Sequence, residues 1–295
     1  MKVLFIINPV AGGKNRTKEI NEAIREELRS EEGVFEIKTA SDRRAVTELS
    51  DKAVKRGYSA VFACGGDGTV HDVAGPLVNS QTALGIIPCG SGNGFARALG
   101  IPLDNIRACV SVVKSKRIRD VDVGLIGDRF FFSTAGIGFD AYLSKKYNDG
   151  FLSKRLRGLA PYFPLAVFEF YRYAPSLLSM KVDNNLVTET PFILTFANTP
   201  YYGGTAVIAP GAMPDDGLLD ICTVPKIGLF QAFMLARRLF NGTIESFTGY
   251  RRTRAGKVEI NRQESVIAHA DGEPFEWRGS LTIEMLPKGL RVLAG

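Results

Sequence analysis

Three short stretches combine glycines with acids in a way that suits phosphate chemistry. Ala63-Cys64-Gly65-Gly66-Asp67-Gly68-Thr69 follows an apolar run and opens a helical pattern. Its glycines permit close approach of backbone N–H groups to a ligand, and N–H groups at a helix start favour phosphate oxygens. A carboxylate in that setting repels phosphate unless a cation lies between, so Asp67 points to Mg²⁺ or to proton acceptance. The same stretch also reads as a Gly-rich turn with an Asp cap. Asn8-Pro9-Val10-Ala11-Gly12-Gly13-Lys14 and Gly90-Ser91-Gly92-Asn93-Gly94 are two further Gly-rich turns, each after a β-rich run. Neither is a nucleotide fingerprint: the first lacks Gly-x-x-x-x-Gly-Lys-Ser/Thr, and the second lacks the final glycine of Gly-x-Gly-x-x-Gly. Their joint placement is the stronger signal, because turns after strands of one parallel sheet converge at its carboxyl edge, where open α/β sheets bind ligands.

Phosphoryl transfer requires phosphate positioning, a divalent cation and a group that accepts the hydroxyl proton. The turns supply the first, and Asp67 with Asp271 or Glu273 can supply the others. Asp271-Gly272 between β-rich runs is at the same time a hairpin signal, and Asp215 to Asp220 alone reads as a turn with solvated acids.

The elements that must position these residues fall into two groups. Over the first 115 residues, short β-rich runs (Val3 to Ile7, Phe35 to Thr39, Ser59 to Cys64, Ala83 to Ile87) alternate with amphipathic patterns such as Ile20, Ile24 and Leu28. That alternation predicts a mostly parallel sheet with helices on both faces. A second helix is expected to start at Ser41, carry Ala45, Leu49 and Ala53 on one face and stop at Gly57. From Asp120 the period becomes two, with Val121, Val123 and Leu125 alternating with Asp122 and Gly124, as in a half-buried antiparallel strand. Short β-rich runs then dominate (Phe130 to Thr134, Phe192 to Phe196, Leu218 to Val224, Val266 to Ala268 among them), with helical insertions near 141–174 and 226–241. The fold class is therefore α/β: an N-terminal three-layer, mostly parallel unit over 1–120, with a C-terminal strand from 286–295, and an antiparallel β-sandwich over 121–285.

Composition agrees with a folded soluble chain: 295 residues, 45% hydrophobic and 23% charged, which excludes disorder, collagen-like repeats and coiled coil. A chain of this length needs no covalent staple. Its four cysteines are widely spaced and there are only two histidines, so no zinc site or disulfide framework is expected. The apolar start, Val3 to Ile7, is too short for a signal peptide. Val73 to Ala96 and Pro191 to Pro214 are uncharged but broken by Gly, Pro, Asn and Thr, so neither reads as a spanning helix. A cytoplasmic protein with peripheral membrane contact is expected. The formal charge of +6 is mild and compatible with anionic ligands or an anionic membrane surface.

The motif order is recognisable. Asn8-Pro9-x-Ala11-Gly12, Thr39, Gly65-Gly66-Asp67-Gly68-Thr69, Pro88-x-Gly90-Ser91-Gly92-Asn93, Asp215-Asp216-Gly217-Leu218-Leu219-Asp220 and Asp271-Gly272-Glu273-Pro274 together resemble the diacylglycerol kinase catalytic-domain family, in particular its bacterial soluble lipid kinases and their sphingosine kinase relatives. The resemblance implies a nucleotide-binding α/β domain, a β-sandwich domain, an active site in the cleft between them and Mg²⁺-dependent transfer of the ATP γ-phosphate to a lipid hydroxyl. It places ATP contacts at Asn8, Pro9, Val10, Ala11, Gly12, Thr39, Gly65, Gly66, Asp67, Gly68, Thr69, Val70, His71, Ser91 and Asn93. It puts a structural Mg²⁺ at Asp216 with the backbone of Met213 and Leu218, proton acceptance at Glu273, and Asp67 in a Mg²⁺ or phosphate network, with Asp271 beside them.

Many bacterial diacylglycerol kinases have Gly-Thr-Ala-Asn-Asp where this chain has Gly90-Ser91-Gly92-Asn93-Gly94, as sphingosine kinases do. That difference brings a sphingoid base or another lipid alcohol into consideration. A lipid substrate calls for a membrane-facing surface, and residues 143–174 offer Lys145, Lys146, Lys154, Arg155 and Arg157 followed by Tyr162, Phe163, Phe168, Phe170, Tyr171 and Tyr173. The same aromatic face also reads as a cover for the sandwich core. No nucleic-acid partner is expected, and a homodimer is compatible with the sequence. His71 is placed near the site and His269 is read as structural. The competing functions are an NAD kinase, which shares Gly-Gly-Asp-Gly, and a nucleotide-responsive lipid-binding protein without catalysis.

Overall fold

The computed structural model describes residues 2–13, 15–29, 35–149, 162–262 and 264–294. Lys14, Lys154, Arg155 and Arg157 lie outside the described residues. The chain divides into two compact units, Met1–Val123 with Pro287–Gly295, and Gly124–Leu286.

The first unit runs β1 (Val3–Ile7), α1 (Thr17–Glu27), β2 (Phe35–Thr39), α2 (Arg43–Lys55), β3 (Ala60–Gly65), α3 (Asp67–Ala74), β4 (Ala83–Pro88), α4 (Gly94–Ala98) and α5 (Ile106–Ser115). Its strands pair in parallel in the order β2-β1-β3-β4. Every residue of β1, β3 and β4 is buried, as expected of strands covered on both faces. Val3, Phe5 and Ile7 pack against Ile20, Ile24 and Leu28 on one side, joined there by Cys109, Val110 and Val113 of α5, while α2 and α3 cover the other.

Two local expectations are corrected. The cap of α2 is Asp42, not Ser41: its carboxylate accepts the Ala45 N–H at 3.0 Å. The buried stripe of α2 is Val46, Ser50 and Ala53, because the later start turns Ala45 and Leu49 partly outward.

The second unit contains β5 (Ile118–Ile126, entering from the first unit), β6 (Arg129–Phe131), β7 (Thr134–Gly138), α6 (Phe139–Asp149), α7 (Tyr162–Arg172), β8 (Leu178–Val182), β9 (Asn185–Glu189), β10 (Pro191–Ala197), β11 (Tyr201–Gly203), β12 (Ala206–Val207), β13 (Leu219–Pro225), α8 (Leu229–Phe240), β14 (Arg251–Ala255), β15 (Lys257–Asn261), β16 (Val266–Ala270), β17 (Glu273–Trp277) and the first part of β18 (Leu281–Leu293). Six strands form an antiparallel sheet in the order β14-β13-β10-β7-β16-β17. A second sheet pairs β18 with β5 and β15, and continues to β8 and β9.

The two sheets bury Leu194, Phe196, Leu219, Ile221, Met180, Val258 and Ile283 between them. The alternate residues of the six-stranded sheet, such as Ala197, Cys222 and Val224, lie under a layer that includes Phe170 of α7 and Leu235 of α8. Period two thus sends one set of side chains into the sandwich and the other beneath the helices.

Two strand readings change here. The half-buried strand expected around Val121 is buried on both faces, because Asp122 accepts the Lys288 N–H at 2.7 Å and is 2% exposed. The single strand expected from Phe130 to Thr134 is broken after Phe131, where the backbone turns its N–H groups toward Asp271.

Candidate active site

In the first unit the three Gly-rich turns meet at the carboxyl ends of β1, β3 and β4. Asn8 links the first two: its Nδ2 donates to the Thr69 Oγ1 at 3.0 Å, and its Oδ1 accepts the Val10 N–H at 3.1 Å. Backbone contact joins the rest. A Cβ on Gly12 would lie 1.9 Å from the Cys89 carbonyl oxygen, and one on Gly90 would lie 2.7 Å from the Gly66 Cα. No side chain fits at either position.

Asp67, the first residue of α3, completes the arrangement. Its Oδ1 accepts the Gly94 N–H and its Oδ2 the Asn93 N–H, both at 2.8 Å. Asn93 is buried, and its side chain makes two bonds to the Gly90 backbone. Asp67 is therefore a clamp between two turns. The first-turn N–H groups of α3 and the positive end of its dipole face the same edge. Thr39 ends β2 beside Ile7, and Ser91 is exposed at the tip of its turn. Every first-unit residue expected to contact nucleotide thus maps to one sheet edge, although Val70 and Asn93 are buried and serve the scaffold. Burial pushes the Cys89 thiol above its ordinary range, offset in part by Arg16.

In the second unit, Ala270 pairs with Glu273, so Asp271 and Gly272 form a two-residue hairpin turn. Both have positive φ, 47° and 84°, the requirement of a type I′ turn that Asp-Gly meets. The Asp271 carboxylate accepts the N–H groups of Phe132, Ser133 and Thr134 at 2.9, 2.8 and 3.1 Å. That role is structural: it fixes the turn to the β6–β7 segment. Glu273 opens β17 immediately after the turn, half-buried and outside that clamp.

Comparison with known proteins fits this geometry. Residues 2–126 match the diacylglycerol kinase catalytic domain, and residues 133–294 match the YegS C-terminal NAD kinase beta sandwich-like domain. A diacylglycerol kinase of Mycobacterium tuberculosis (strain CDC 1551 / Oshkosh) is 30% identical over 301 residues, spanning 99% of this chain and 94% of that protein. A diacylglycerol kinase of Bacillus subtilis (strain 168) is 26% identical over 273 residues, 91% of this chain and 88% of that one. The crystal structure of a diacylglycerol kinase from Bacillus anthracis str. Sterne shares the fold with a TM-score of 0.75 at 23% identity, covering 100% of this chain and 97% of that one. The chain belongs to the diacylglycerol kinase family.

For a lipid kinase of this family the acidic loop at Asp216 was expected to hold a structural Mg²⁺ with the backbone of Met213 and Leu218. Asp216 Oδ1 accepts the Leu218 N–H at 3.1 Å, and Oδ2 is ion-paired with Arg254. The guanidinium of Arg254 also lies 3.8 Å from Asp220. Asp220 is buried, which raises its pKa, while Arg252 acts to lower it.

Sequence reasoning missed Asp140 and Tyr202, which meet His269 behind the Asp271–Gly272 turn. No motif flags them. The only signal is an acid at a strand-to-helix junction, after Gly136 and Gly138.

Proposed function

We propose that this lipid kinase transfers the γ-phosphoryl group of ATP to the hydroxyl of a lipid alcohol, with Glu273 accepting the hydroxyl proton. The observation that carries this reading is the fusion of three Gly-rich turns at one sheet edge, with α3 beginning there. Such a surface binds phosphate oxygens through backbone N–H groups. Mg²⁺ bound with the nucleotide would neutralise phosphate charge, and a carboxylate at the start of α3, as Asp67 is, suits a contact with that cation. Asp67 also keeps the turns in register, and Glu273, placed by the Asp271–Gly272 turn before it, is the acid proposed for proton transfer. The relatives are named diacylglycerol kinases, which makes diacylglycerol the first substrate to test. Gly94, whose N–H is spent on Asp67, keeps sphingoid bases in the same panel.

The lipid would be met at an anionic bilayer by the outward faces of α7 and α8. Both helices bury one side against the six-stranded sheet, through Phe170 and Leu235. Outward they present Phe168 and Tyr171 on α7, and Phe230, Phe233 and Phe240 on α8, the last three 77%, 60% and 53% exposed. Arg172 and Arg237 are exposed among them. The only acid of the two helices, Glu169, is turned inward onto the Tyr142 hydroxyl at 2.7 Å. Aromatics flanked by arginine and free of outward carboxylates suit an anionic lipid surface. Lys145, expected to join this surface, is instead paired with Glu276.

The test is transfer from γ-labelled ATP, with Mg²⁺, to diacylglycerol and sphingoid bases in mixed micelles, with NAD in parallel. Label on a lipid, lost in Glu273→Ala and strongly reduced in Asp67→Ala, is the expected result. Label on NAD alone, or full activity in both variants, overturns the reading.

A further inference from the structure

Behind the Asp271–Gly272 turn, three side chains form a bonded chain. The His269 Nδ1 accepts the Gly272 N–H at 3.3 Å, and its Nε2 lies 3.0 Å from the Asp140 Oδ2. A ring nitrogen that accepts an N–H carries a lone pair, so the hydrogen of a neutral ring sits on Nε2 and points to Asp140. Tyr202 donates its hydroxyl to the same Oδ2 at 2.6 Å. His269 and Asp140 are 4% and 9% exposed.

Gly136 makes room for the pair. It lies directly across from His269 in the sheet, and a Cβ there would be 2.4 Å from Asp140 Oδ2 and 2.6 Å from His269 Nε2. Asp140 lies in the first turn of α6, so the chain ties a helix start, a strand and the turn before Glu273 into one unit.

This arrangement is costly as packing alone. The Asp140 Oδ1 is buried with no hydrogen-bond partner, and burying a carboxylate without full compensation destabilises a fold. Apolar side chains would fill the same space at less cost. What the polar set adds is direction: Asp140 and Tyr202 fix the ring, and the ring fixes the peptide N–H one residue before Glu273.

We infer that Asp140, His269 and Tyr202 are positioning residues for Glu273. They hold the Asp271–Gly272 peptide, one residue before Glu273, so that the carboxylate meets the substrate hydroxyl at the required angle. This inference rests on the proposed role of Glu273 as proton acceptor.

Two His269 variants separate the ring's two bonds. In His269→Gln the amide nitrogen reproduces the Nε2 donor and keeps Asp140 bonded, but the acceptor for Gly272 is lost. In His269→Asn the amide oxygen reproduces the Nδ1 acceptor. Steady-state kinetics on a lipid alcohol in mixed micelles should show kcat falling about 30- to 100-fold in the Gln variant, as for a reacting group displaced by about 1 Å. The KM for ATP should stay within about twofold, and the Asn variant should recover at least about tenfold of the lost kcat. A packing role alone predicts lower urea midpoints for both variants with kcat per folded molecule unchanged, and that result overturns the inference. If either His269 variant fails to fold, Tyr202→Phe decides: it loosens Asp140 and leaves the turn bond intact. A kcat reduced about three- to tenfold with unchanged KM for ATP supports positioning, and wild-type kcat refutes it. Glu273→Gln serves as the reference. If it remains active, the proton-acceptor reading fails and the inference with it; if it is inactive while His269→Gln keeps wild-type kcat, only the positioning inference fails.

Discussion

Replacing Gly90 by alanine tests whether the Gly-rich turns are fused as described. The added methyl would lie 2.7 Å from the Gly66 Cα and 3.0 Å from the Asn93 Oδ1, where ordinary contact begins at 3.4 Å. Neither neighbour can yield easily: Gly66 is backbone, and the Asn93 side chain is buried and bonded twice to Gly90. The turns must separate by about 0.7 Å, the difference between the first and last of those distances. Overpacking of this kind costs about 1–3 kcal/mol. At a reacting centre a displacement of about 1 Å costs on the order of 100-fold, so a loss of about 10- to 50-fold in kcat/KM for ATP is expected. Urea unfolding and steady-state kinetics measure the two effects. For the unfolding measurement alone Gly68→Ala is the control, since a Cβ there meets no protein atom within 4 Å and α3 should gain about 0.5–1 kcal/mol. A Gly90→Ala protein with the wild-type unfolding midpoint and wild-type KM for ATP would refute the fused-turn geometry.

Three further outcomes are expected. Asp271→Asn leaves one oxygen where three N–H groups converge, so stability should fall by about 2–4 kcal/mol in urea titration, given about 1.5–3 kcal/mol for each charged hydrogen bond; a change below about 0.5 kcal/mol would contradict the clamp. Cys89 should alkylate slowly at pH 8, about tenfold faster per pH unit until its raised pKa is passed, and saturating ATP should slow it further by covering the adjacent Gly90 turn. Mass spectrometry would follow that reaction, with Cys109 and Cys222, whose thiols burial pushes up to about 11 and about 12, as unreactive references; an ATP-insensitive rate would place the nucleotide elsewhere. Phe230→Ser with Phe233→Ser should weaken sedimentation with anionic vesicles at least about tenfold while leaving turnover in mixed micelles unchanged; unchanged vesicle binding would remove α8 from the membrane surface, and a wild-type dimer split by the substitutions would assign the face to self-association.

The sheet of the first unit was legible because β1, β3 and β4 are nearly continuous apolar runs, and the convergence of the turns followed from parallel pairing alone. Which lone pairs of an acid are already spent was not legible. Asp67 bonds to residues 26 and 27 positions away, and Asp271 to residues 137 to 139 positions away, so no local spacing announces either clamp. The same limit hid the Arg254 partner of Asp216. Short-range errors had a different source: Ser41 and Asp42 are both good caps, and only the backbone bond to Ala45 selects one. In α7 the aromatic stretch was read as either core or membrane surface; Phe170 is buried, and Phe168 and Tyr171 face outward.

The second unit is an insertion in the chain of the first, and the two crossing points lie side by side: Asp122 accepts the Lys288 N–H at 2.7 Å. Residues 287–294 add Leu290, Val292 and Leu293 to the buried set, pair Val292 with Leu84 and close hydrogen bonds from Asn79 to Gly289 and from Ala294 to Arg117. A truncation after Val123 would therefore strip β4 of its neighbour and leave those groups bare. Joining Val123 to the segment beginning at Pro287 through a short turn would keep them, giving a route to a free-standing first unit on which nucleotide binding can be measured apart from lipid.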